Sequence, residues 1–254
     1  MYSVYQQQFR ISIFRLMNFV GFALSDTQDN KKILAEHREY MSTFEMQEIY
    51  YEEGEEKRKN VPFSEKEPLI KSIDDQIVDQ EHYFEFIKNQ SIIFSKSLFD
   101  QYIMDVLHYI YSKHTKILSK KRPNEQAKSL EYSDILEYTN YDDLIHHIID
   151  KELYYVGQLS FPKLIKYFEK VMGTKLTLDE DYEKSIIMIF IIRNLIVHNG
   201  GIADEKLIAC SHHDTFTLNE PIQISHQRIL SYFMVILRVV SDIDKQLYRK
   251  FFLS

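Results

Sequence analysis

The feature that most constrains the fold is an unbroken apolar run, IIMIFII, at residues 186–192. Acidic residues precede it in the segment LDED, and Gly200 and Gly201 follow it. Acids favour a helix start because they complement the helix dipole, whereas glycines commonly end helices. The pattern therefore predicts a helix over residues 179–199. Because the run is apolar on every side of such a helix, we expect the helix to be buried.

The rest of the sequence also favours helices. Only 6 glycines and 5 prolines occur among 254 residues, and this scarcity of helix breakers is typical of helical proteins. Apolar residues recur at helical spacing near both ends of the chain. They include Phe9, Ile13, Leu16, Val20 and Leu24 near the start, and Ile229, Phe233, Ile236, Val240, Ile243 and Leu247 near the end. We therefore expect a mainly α fold.

Polar and proline-containing segments suggest the domain organisation. The segment SDTQDN at residues 25–30 predicts a break after the first helix, and a second helix is expected from about Asp29 to near Gly54. KNVPFSEKEP at residues 59–68 and SKKRPNEQAK at residues 119–128 have the composition of loops. We expect a helical N-terminal extension over residues 1–60 and a main helical domain over residues 61–254.

Shorter elements are expected in the second half of the chain. Helices should start at about Tyr141, after Ser160 and after Ser225, where helix-capping residues or acids precede apolar periodicity. The segments KLIAC and DTFTL, at residues 206–210 and 214–218, have a β-like pattern. They predict a short β-hairpin before the last helix.

Charge and cysteine content narrow the functional class. The formal net charge of -7 argues against a surface built to grip duplex nucleic acid. A local basic stretch nevertheless occurs, and an RNA contact or a solvated loop would both explain it. The single Cys210 cannot form an internal disulfide, no secretion signal is recognisable, and no apolar run approaches the roughly 20 residues of a membrane span. We expect a cytoplasmic protein without membrane contact. The candidate RNA contacts are Lys113, Lys116, Lys120, Lys121 and Arg122.

Three polar residues emerge at the end of the apolar run, in RNLIVHNGG: Arg193, Asn194 and His198. Imidazole exchanges a proton near neutral pH, and guanidinium binds phosphate in a fixed fork while keeping its charge. These groups suit RNA cleavage without a metal, in which the ribose 2′-hydroxyl attacks the adjacent phosphate. On a helix, Arg193 and His198 point about 140° apart. Two copies of the helix facing each other would bring these groups together more readily than one, which favours a homodimer.

RNLIVHNGG resembles the Arg-(four to six residues)-His motif of the HEPN superfamily, helical domains common in prokaryotic toxin and defence systems. The resemblance extends over residues 92–252 and is most specific over residues 186–202. It implies a helical bundle that dimerises to form one composite ribonuclease site. Arg193 and His198 would then be catalytic and Asn194 would support them, without a cofactor. It also implies a role as a toxin or in abortive infection, with an antitoxin or defence-system partner.

Other interpretations stay open at this point. Some members of the superfamily are non-catalytic modules that dimerise and bind RNA, nucleotide or protein, and an intact motif is compatible with that role. The segment CSHHD at residues 210–214 contains metal-ligand types, but it lacks a second cluster at a recognisable interval, so no metal site is expected. Position 201 is Gly201, so the tyrosine that is modified in one subgroup of the superfamily does not occur here.

Overall fold

A computed structural model of the chain describes residues 3–43, 47–52, 55–60, 63–123, 132–211 and 216–253. Within these ranges the chain is mainly helical, as the composition predicted. A short 3₁₀ helix, Thr115–Ser119, follows the second α-helix. The remaining elements, in chain order, are α1 (Val4–Thr43), β1 (Gln47–Glu52), β2 (Glu55–Asn60), α2 (Phe63–Lys113), α3 (Tyr132–Leu136), α4 (Tyr141–Gly157), α5 (Phe161–Lys170), α6 (Glu180–His198), α7 (Glu205–Cys210) and α8 (His226–Phe251).

The chain divides into two compact units, and both α1 and α2 contribute to each. The larger unit combines Met1–Met17 with Ser91–Ser254, and the smaller unit is Asn18–Gln90. The boundary expected between residues 60 and 61 therefore falls inside the smaller unit. Residues 92–252 lie within the larger unit.

In the smaller unit, α1 and α2 run antiparallel and are joined by ion pairs. Lys31 pairs with Glu81 and Arg38 pairs with Asp74. The partner on α2 thus moves seven residues toward its N-terminus when the residue on α1 moves seven residues toward its C-terminus, which shows the antiparallel direction. The predicted break at residues 25–30 is wrong, because α1 continues through it. That segment is polar but contains neither Gly nor Pro, so it is tolerated in an exposed helix.

The predicted helix from Asp29 to Gly54 is only partly correct. It is helical up to Thr43, but β1 follows and pairs antiparallel with β2, with Gln47 opposite Asn60 and Glu52 opposite Glu55. The sequence IYY within β1 has the β-branched and aromatic residues that favour strands. This local preference favours a hairpin in the segment where the sequence predicted the end of a helix.

The core of the larger unit is built around α6. Ile186, Ile189 and Ile192 on α6 and Phe233 and Ile236 on α8 have no exposed surface. The apolar run is therefore buried on several sides, as predicted. At roughly 1.5–3 kcal/mol per fully buried large aliphatic or aromatic side chain, this burial is the main source of stability for the helix.

The start of α1 is tied to the core of the larger unit by a buried carboxylate. The backbone N–H of Ser3 donates to Asp244 Oδ2 at 2.9 Å, and the Ser3 hydroxyl donates to Oδ1. Tyr102 also donates to Oδ1, at 3.2 Å. Burial and the charge of Asp244 raise the pKa of Tyr102, which therefore stays a hydrogen-bond donor. The network joins α1, α2 and α8.

Helices in the second half of the chain begin close to the predicted positions Tyr141, Ser160, Asp179 and Ser225, and side chains cap three of them. Asn140 accepts from the backbone N–H of Asp143 at 2.8 Å, Asp179 accepts from that of Asp181 at 3.0 Å, and Ser225 accepts from that of Arg228 at 3.2 Å. Ser160 precedes α5 without such a bond. These caps satisfy backbone donors that have no partner within the helix.

The hairpin predicted before α8 is wrong in its first strand. Residues 206–210 form α7, because the side chain of Asp204 accepts from the backbone N–H of Leu207 at 2.8 Å and starts a helical turn. Of the second segment, residues 214 and 215 lie outside the described residues, and Leu218 lies in a turn. A single bridge joins Ile202 to Pro221 in this region.

Candidate functional site

The three motif residues lie where α6 leaves the core. Arg193 is half-buried, whereas Asn194 and His198 are exposed. Ile192, immediately before them, has no exposed surface. The sequence thus changes from buried aliphatic to exposed polar within one helical turn, and this places the polar groups at the boundary between core and surface.

Two glycines fix the end of α6. Gly200 and Gly201 have φ angles of 60° and 75°, in the left-handed region that glycine adopts without a steric cost. The backbone N–H of Gly201 donates to the carbonyl of Leu195 at 3.0 Å, and the side chain of Asn199 donates to the carbonyl of Ile202 at 3.0 Å. These bonds end the helix one residue after His198 and hold the last turn in place.

Arg193 and Asn194 contact each other directly. Arg193 Nη1 donates to Asn194 Oδ1 at 3.1 Å. Arg193 Nε is buried and has no hydrogen-bond partner among the described residues. A buried donor without a partner costs about 1–3 kcal/mol, and an anion that accepted this N–H would remove that cost.

A cavity of about 620 Å³, which we call the arginine cavity, opens beside these two residues. Its volume is within the range of about 300–1,000 Å³ that is typical of small-molecule sites. Lys96 and Lys206 add two further cations to its lining, and Asp100 is the one acid among the lining residues within the described ranges. The cavity therefore has an excess of positive charge. Its other lining residues include Gln158, Ser160, Phe99, Phe161 and Phe190.

Three phenylalanines form a rigid wall of the arginine cavity. The Phe99 and Phe190 rings meet edge to face with centroids 5.1 Å apart, and the Phe161 and Phe190 rings do so at 6.0 Å. Lys96 Nζ lies 4.7 Å from the centre of the Phe190 ring and pairs with Asp100. Lys96 is therefore held in place by a ring face and a carboxylate, as a fixed charge near Arg193.

His198 does not line the arginine cavity. It is exposed on the last turn of α6, consistent with the angle of about 140° expected between positions 193 and 198. Within one chain the structure brings Arg193 and Asn194 together but does not bring His198 to them.

Most of the basic stretch lines a second, larger cavity of about 1,040 Å³, which we call the lysine groove. Lys116, Lys120, Lys121 and Arg122 lie in its lining, whereas Lys113 does not. The rest of its polar lining comes from the 3₁₀ helix, from α4 and from the residue that follows α4. These residues are Thr115, Ser119, Tyr141, Lys151, Glu152, Tyr154, Tyr155 and Gln158.

Arg122 has an internal partner. Its Nη2 and Nε donate to Glu152 Oε2 at 2.9 and 3.2 Å, and its guanidinium lies 3.9 Å from the centre of the Tyr155 ring. Tyr167 donates to Glu152 Oε1 at 2.6 Å and hydrogen-bonds Tyr111. Arg122, a candidate RNA contact in the sequence, is thus part of a buried ion pair.

The two tyrosines of this network remain protonated at physiological pH. Burial raises the pKa of Tyr111, and the charge of Glu152 adds to the effect. Burial also raises the pKa of Tyr167, with further contributions from Tyr111 and Glu152. Both groups therefore keep the hydroxyl hydrogen that the network requires.

Lys96, Lys206 and Lys151 were not identified as site residues from the sequence. Lys96 and Lys206 are separated from Arg193 along the chain and carry no local motif, so only the tertiary fold indicates their proximity. The Lys96–Asp100 pair has the spacing of an ordinary helix-surface ion pair. That spacing gave no sign of a site.

Among the described residues, no group of three or more His, Cys, Asp and Glu side chains could hold a metal ion. His212, His213 and Asp214 of the CSHHD segment lie outside those residues. No helix in the described part of the chain is both long and apolar enough to cross a membrane.

Comparison with known proteins gives no assignment. No protein-family model, curated protein or solved structure matches the chain.

Proposed function

We propose that the protein is a metal-independent endoribonuclease that acts as a homodimer, as a toxin or as an effector of antiviral defence. The observation that carries this proposal is the half-buried guanidinium of Arg193. It lies in a cavity with an excess of positive charge, contacts Asn194 and has an unused buried N–H. Such a group is suited to a phosphate, because guanidinium binds two phosphate oxygens in a fixed geometry.

The reaction we propose needs only the side chains of the chain. His198, as general base, takes the proton of the ribose 2′-hydroxyl, whose oxygen attacks the adjacent phosphorus. Arg193 stabilises the additional negative charge on the phosphate oxygens as the bond to the 5′-oxygen breaks. A general acid returns a proton to the leaving oxygen. The products are a 2′,3′-cyclic phosphate and a 5′-hydroxyl.

A second protomer completes the proposed site. His198 lies outside the arginine cavity of its own chain, so its imidazole and the Arg193 guanidinium would meet across two facing copies of α6. Val197, 43% exposed beside His198, gives this end of α6 an apolar contact for the partner. A dimer built on a two-fold axis would place both copies of each residue around one groove.

The test of the proposal is RNA cleavage in the presence of EDTA. Wild-type protein should release fragments that end in a 2′,3′-cyclic phosphate, and Arg193→Ala or His198→Ala should abolish the release. The matched controls are Arg15→Ala and His82→Ala, which remove an exposed arginine and an exposed histidine elsewhere and should leave cleavage unchanged. Equal cleavage by wild type and both motif variants would refute the proposal.

A second function is favoured by one observation, the position of His198 outside the arginine cavity. A cavity with Arg193, Lys96 and Lys206 but no histidine is arranged to bind an anion rather than to transfer a proton. In this alternative the protein is a non-catalytic dimerising module that binds RNA, a nucleotide or a partner protein. Phosphate-dependent binding without any cleavage, lost in Arg193→Ala and retained in His198→Ala, would support it over the nuclease.

A further inference from the structure

We infer that the lysine groove binds single-stranded RNA, with Lys116, Lys120 and Lys121 contacting phosphates and with Tyr141 and Tyr154 stacking on unpaired bases. The inference rests on the proposed function, because it assigns the path by which an RNA strand reaches Arg193. It identifies the form of the substrate and the side chains that hold it away from the site of cleavage.

The charge of the groove is positive and is not neutralised from within. Lys116, Lys120 and Lys121 are exposed, and no ion pair found among the described residues involves them. Among the lining residues that the structure describes, Glu152 is the one acid, and its carboxylate is paired with Arg122. The three lysines are therefore available to phosphates.

Excess positive charge extends beyond the groove on the side of Lys120. Lys250 Nζ donates to the carbonyls of Met172 and Gly173 near the end of α5. Burial lowers the pKa of Lys250, and the charge of nearby Lys120 lowers it further. Two ammonium groups in proximity favour a polyanion over a neutral ligand.

Two tyrosines in the groove lining are unusually exposed. Tyr141 is 70% exposed and Tyr154 is 75% exposed, whereas Tyr111 and Tyr167 are fully buried. Base stacking needs a ring face that solvent can reach, and it accepts every base because each has a π-face. Bases within a duplex are already stacked on each other. The exposed rings therefore favour a single strand.

Tyr141 and Tyr154 leave α4 about 140° apart, but both line the lysine groove, and their separation along the helix axis fits a strand of several nucleotides. Tyr141 and Tyr154 are thirteen residues apart on α4, which corresponds to about 20 Å along the helix axis. At about 3.4 Å per stacked nucleotide, this distance corresponds to roughly six nucleotides. That length is within the range of about 4–16 nucleotides that compact single-strand binding folds occupy.

The lysine groove and the arginine cavity share one lining residue. Gln158, the residue after the end of α4, lines both the lysine groove and the arginine cavity. A strand that follows α4 from Tyr141 past Tyr154 would therefore arrive beside Asn194 and Arg193. The groove would hold the flanking nucleotides while the phosphate to be cleaved lies at Arg193.

The experiment measures binding separately from cleavage. A fluorescent RNA on the order of ten nucleotides long is titrated in EDTA with His198→Ala protein, which retains the groove and does not cut the probe. The same RNA annealed to its complement is titrated in parallel. We expect the single strand to bind more tightly than the duplex.

Groove variants in the His198→Ala background identify the contacts. Tyr141→Ala with Tyr154→Ala should weaken binding at least about tenfold, whereas the corresponding phenylalanine variants should bind as before, because stacking needs the ring and not the hydroxyl. Lys116→Ala, Lys120→Ala and Lys121→Ala combined should weaken binding and should reduce the slope of log Kd against log salt by about 2.

Matched controls use exposed residues outside the groove. Lys163→Ala, Lys166→Ala and Lys175→Ala combined remove the same charge from the same unit, and Tyr83→Ala removes an exposed ring from the smaller unit. Both should bind RNA as the His198→Ala parent does. A loss of affinity that is as large in the control triple variant as in the groove triple variant would overturn the inference.

The outcomes also separate this inference from the proposed function. Groove-dependent binding of single strands without cleavage by wild type supports the groove and refutes the nuclease. Cleavage by wild type with unchanged binding in the groove variants refutes the groove and supports the nuclease. Duplex binding as tight as single-strand binding, or groove-dependent binding of an acidic protein instead of RNA, would overturn the inference.

Discussion

Replacing Arg122 with alanine should destabilise the protein strongly, because the substitution leaves a buried carboxylate without its cation. The side chain of Glu152 is only 3% exposed, and Arg122 supplies two of the hydrogen bonds to it. The Tyr167 hydroxyl, a neutral donor, also hydrogen-bonds that carboxylate but does not supply the charge that Arg122 does. Removing one partner of a buried ion pair costs about 3–5 kcal/mol.

The magnitude can be checked by urea unfolding and by the melting temperature. For a unit of this size, a loss of about 3–5 kcal/mol should lower Tm by roughly 6–20 °C. Lys121→Ala, which removes the exposed neighbouring cation, is the matched control and should change stability by less than about 0.5 kcal/mol.

A second substitution tests whether the cause is the unpaired charge. Adding Glu152→Gln to Arg122→Ala replaces the carboxylate with a neutral group that still accepts from Tyr167, so part of the lost stability should return. An Arg122→Ala protein as stable as the Lys121→Ala control would refute the reasoning. It would show that Arg122 is a surface residue, available to RNA, and not part of the core.

Two further predictions concern the backbone and the pH dependence of stability. Gly201→Ala should lower the free energy of unfolding in urea by about 1–2 kcal/mol, because a φ of 75° is unfavourable for any residue with a Cβ. Gly21→Ala, in the interior of α1 with open space around the new Cβ, should raise it by about 1 kcal/mol. Equal effects of the same sign would contradict this assignment. Burial raises the pKa of Tyr102, Tyr111 and Tyr167 in the folded state. Their contribution to stability is therefore complete below the unfolded pKa of about 10 and is lost as the pH rises above it. The free energy of unfolding should fall by up to about 1.4 kcal/mol per pH unit for each tyrosine. Unfolding measured across this range should show the decline, Tyr102→Phe should reduce its slope by one tyrosine's share, and a flat profile would contradict the burial of these hydroxyls.

Local signals in the sequence were sufficient for α4, α5, α6 and α8, but they indicated a strand where α7 forms. Asp179 and the two glycines after Asn199 mark the two ends of α6, because an N-cap and a left-handed glycine at a C-terminus depend only on residues within one turn. In contrast, the polar segment at residues 25–30 was interpreted as a break. Its helical state is supported by α2, whose Glu81 and Asp74 are about 50 and 36 residues away from their partners.

The candidate site was predictable only in part, because some of its residues are far apart in the chain and meet only in the fold. Arg193, Asn194 and His198 are adjacent in sequence, and their helical spacing correctly indicated that His198 points away from Arg193. Lys96 and Lys206 come to the arginine cavity from α2 and α7, and no local pattern predicts that. The internal role of Arg122 depends on Glu152, 30 residues further along the chain.

The central claim is that Arg193 and His198 act across the interface of a homodimer, and mixing two inactive variants tests it most directly. Arg193→Ala and His198→Ala proteins are mixed under conditions that allow subunits to exchange, native mass spectrometry confirms the heterodimer, and RNA cleavage is measured in EDTA. Each heterodimer holds one Arg193 and one His198, on different chains, so cleavage should return on mixing. Mixing Arg193→Ala with the Arg193→Ala/His198→Ala double variant provides no arginine and should stay inactive. A confirmed heterodimer without activity, or a chain that remains monomeric, would contradict the account.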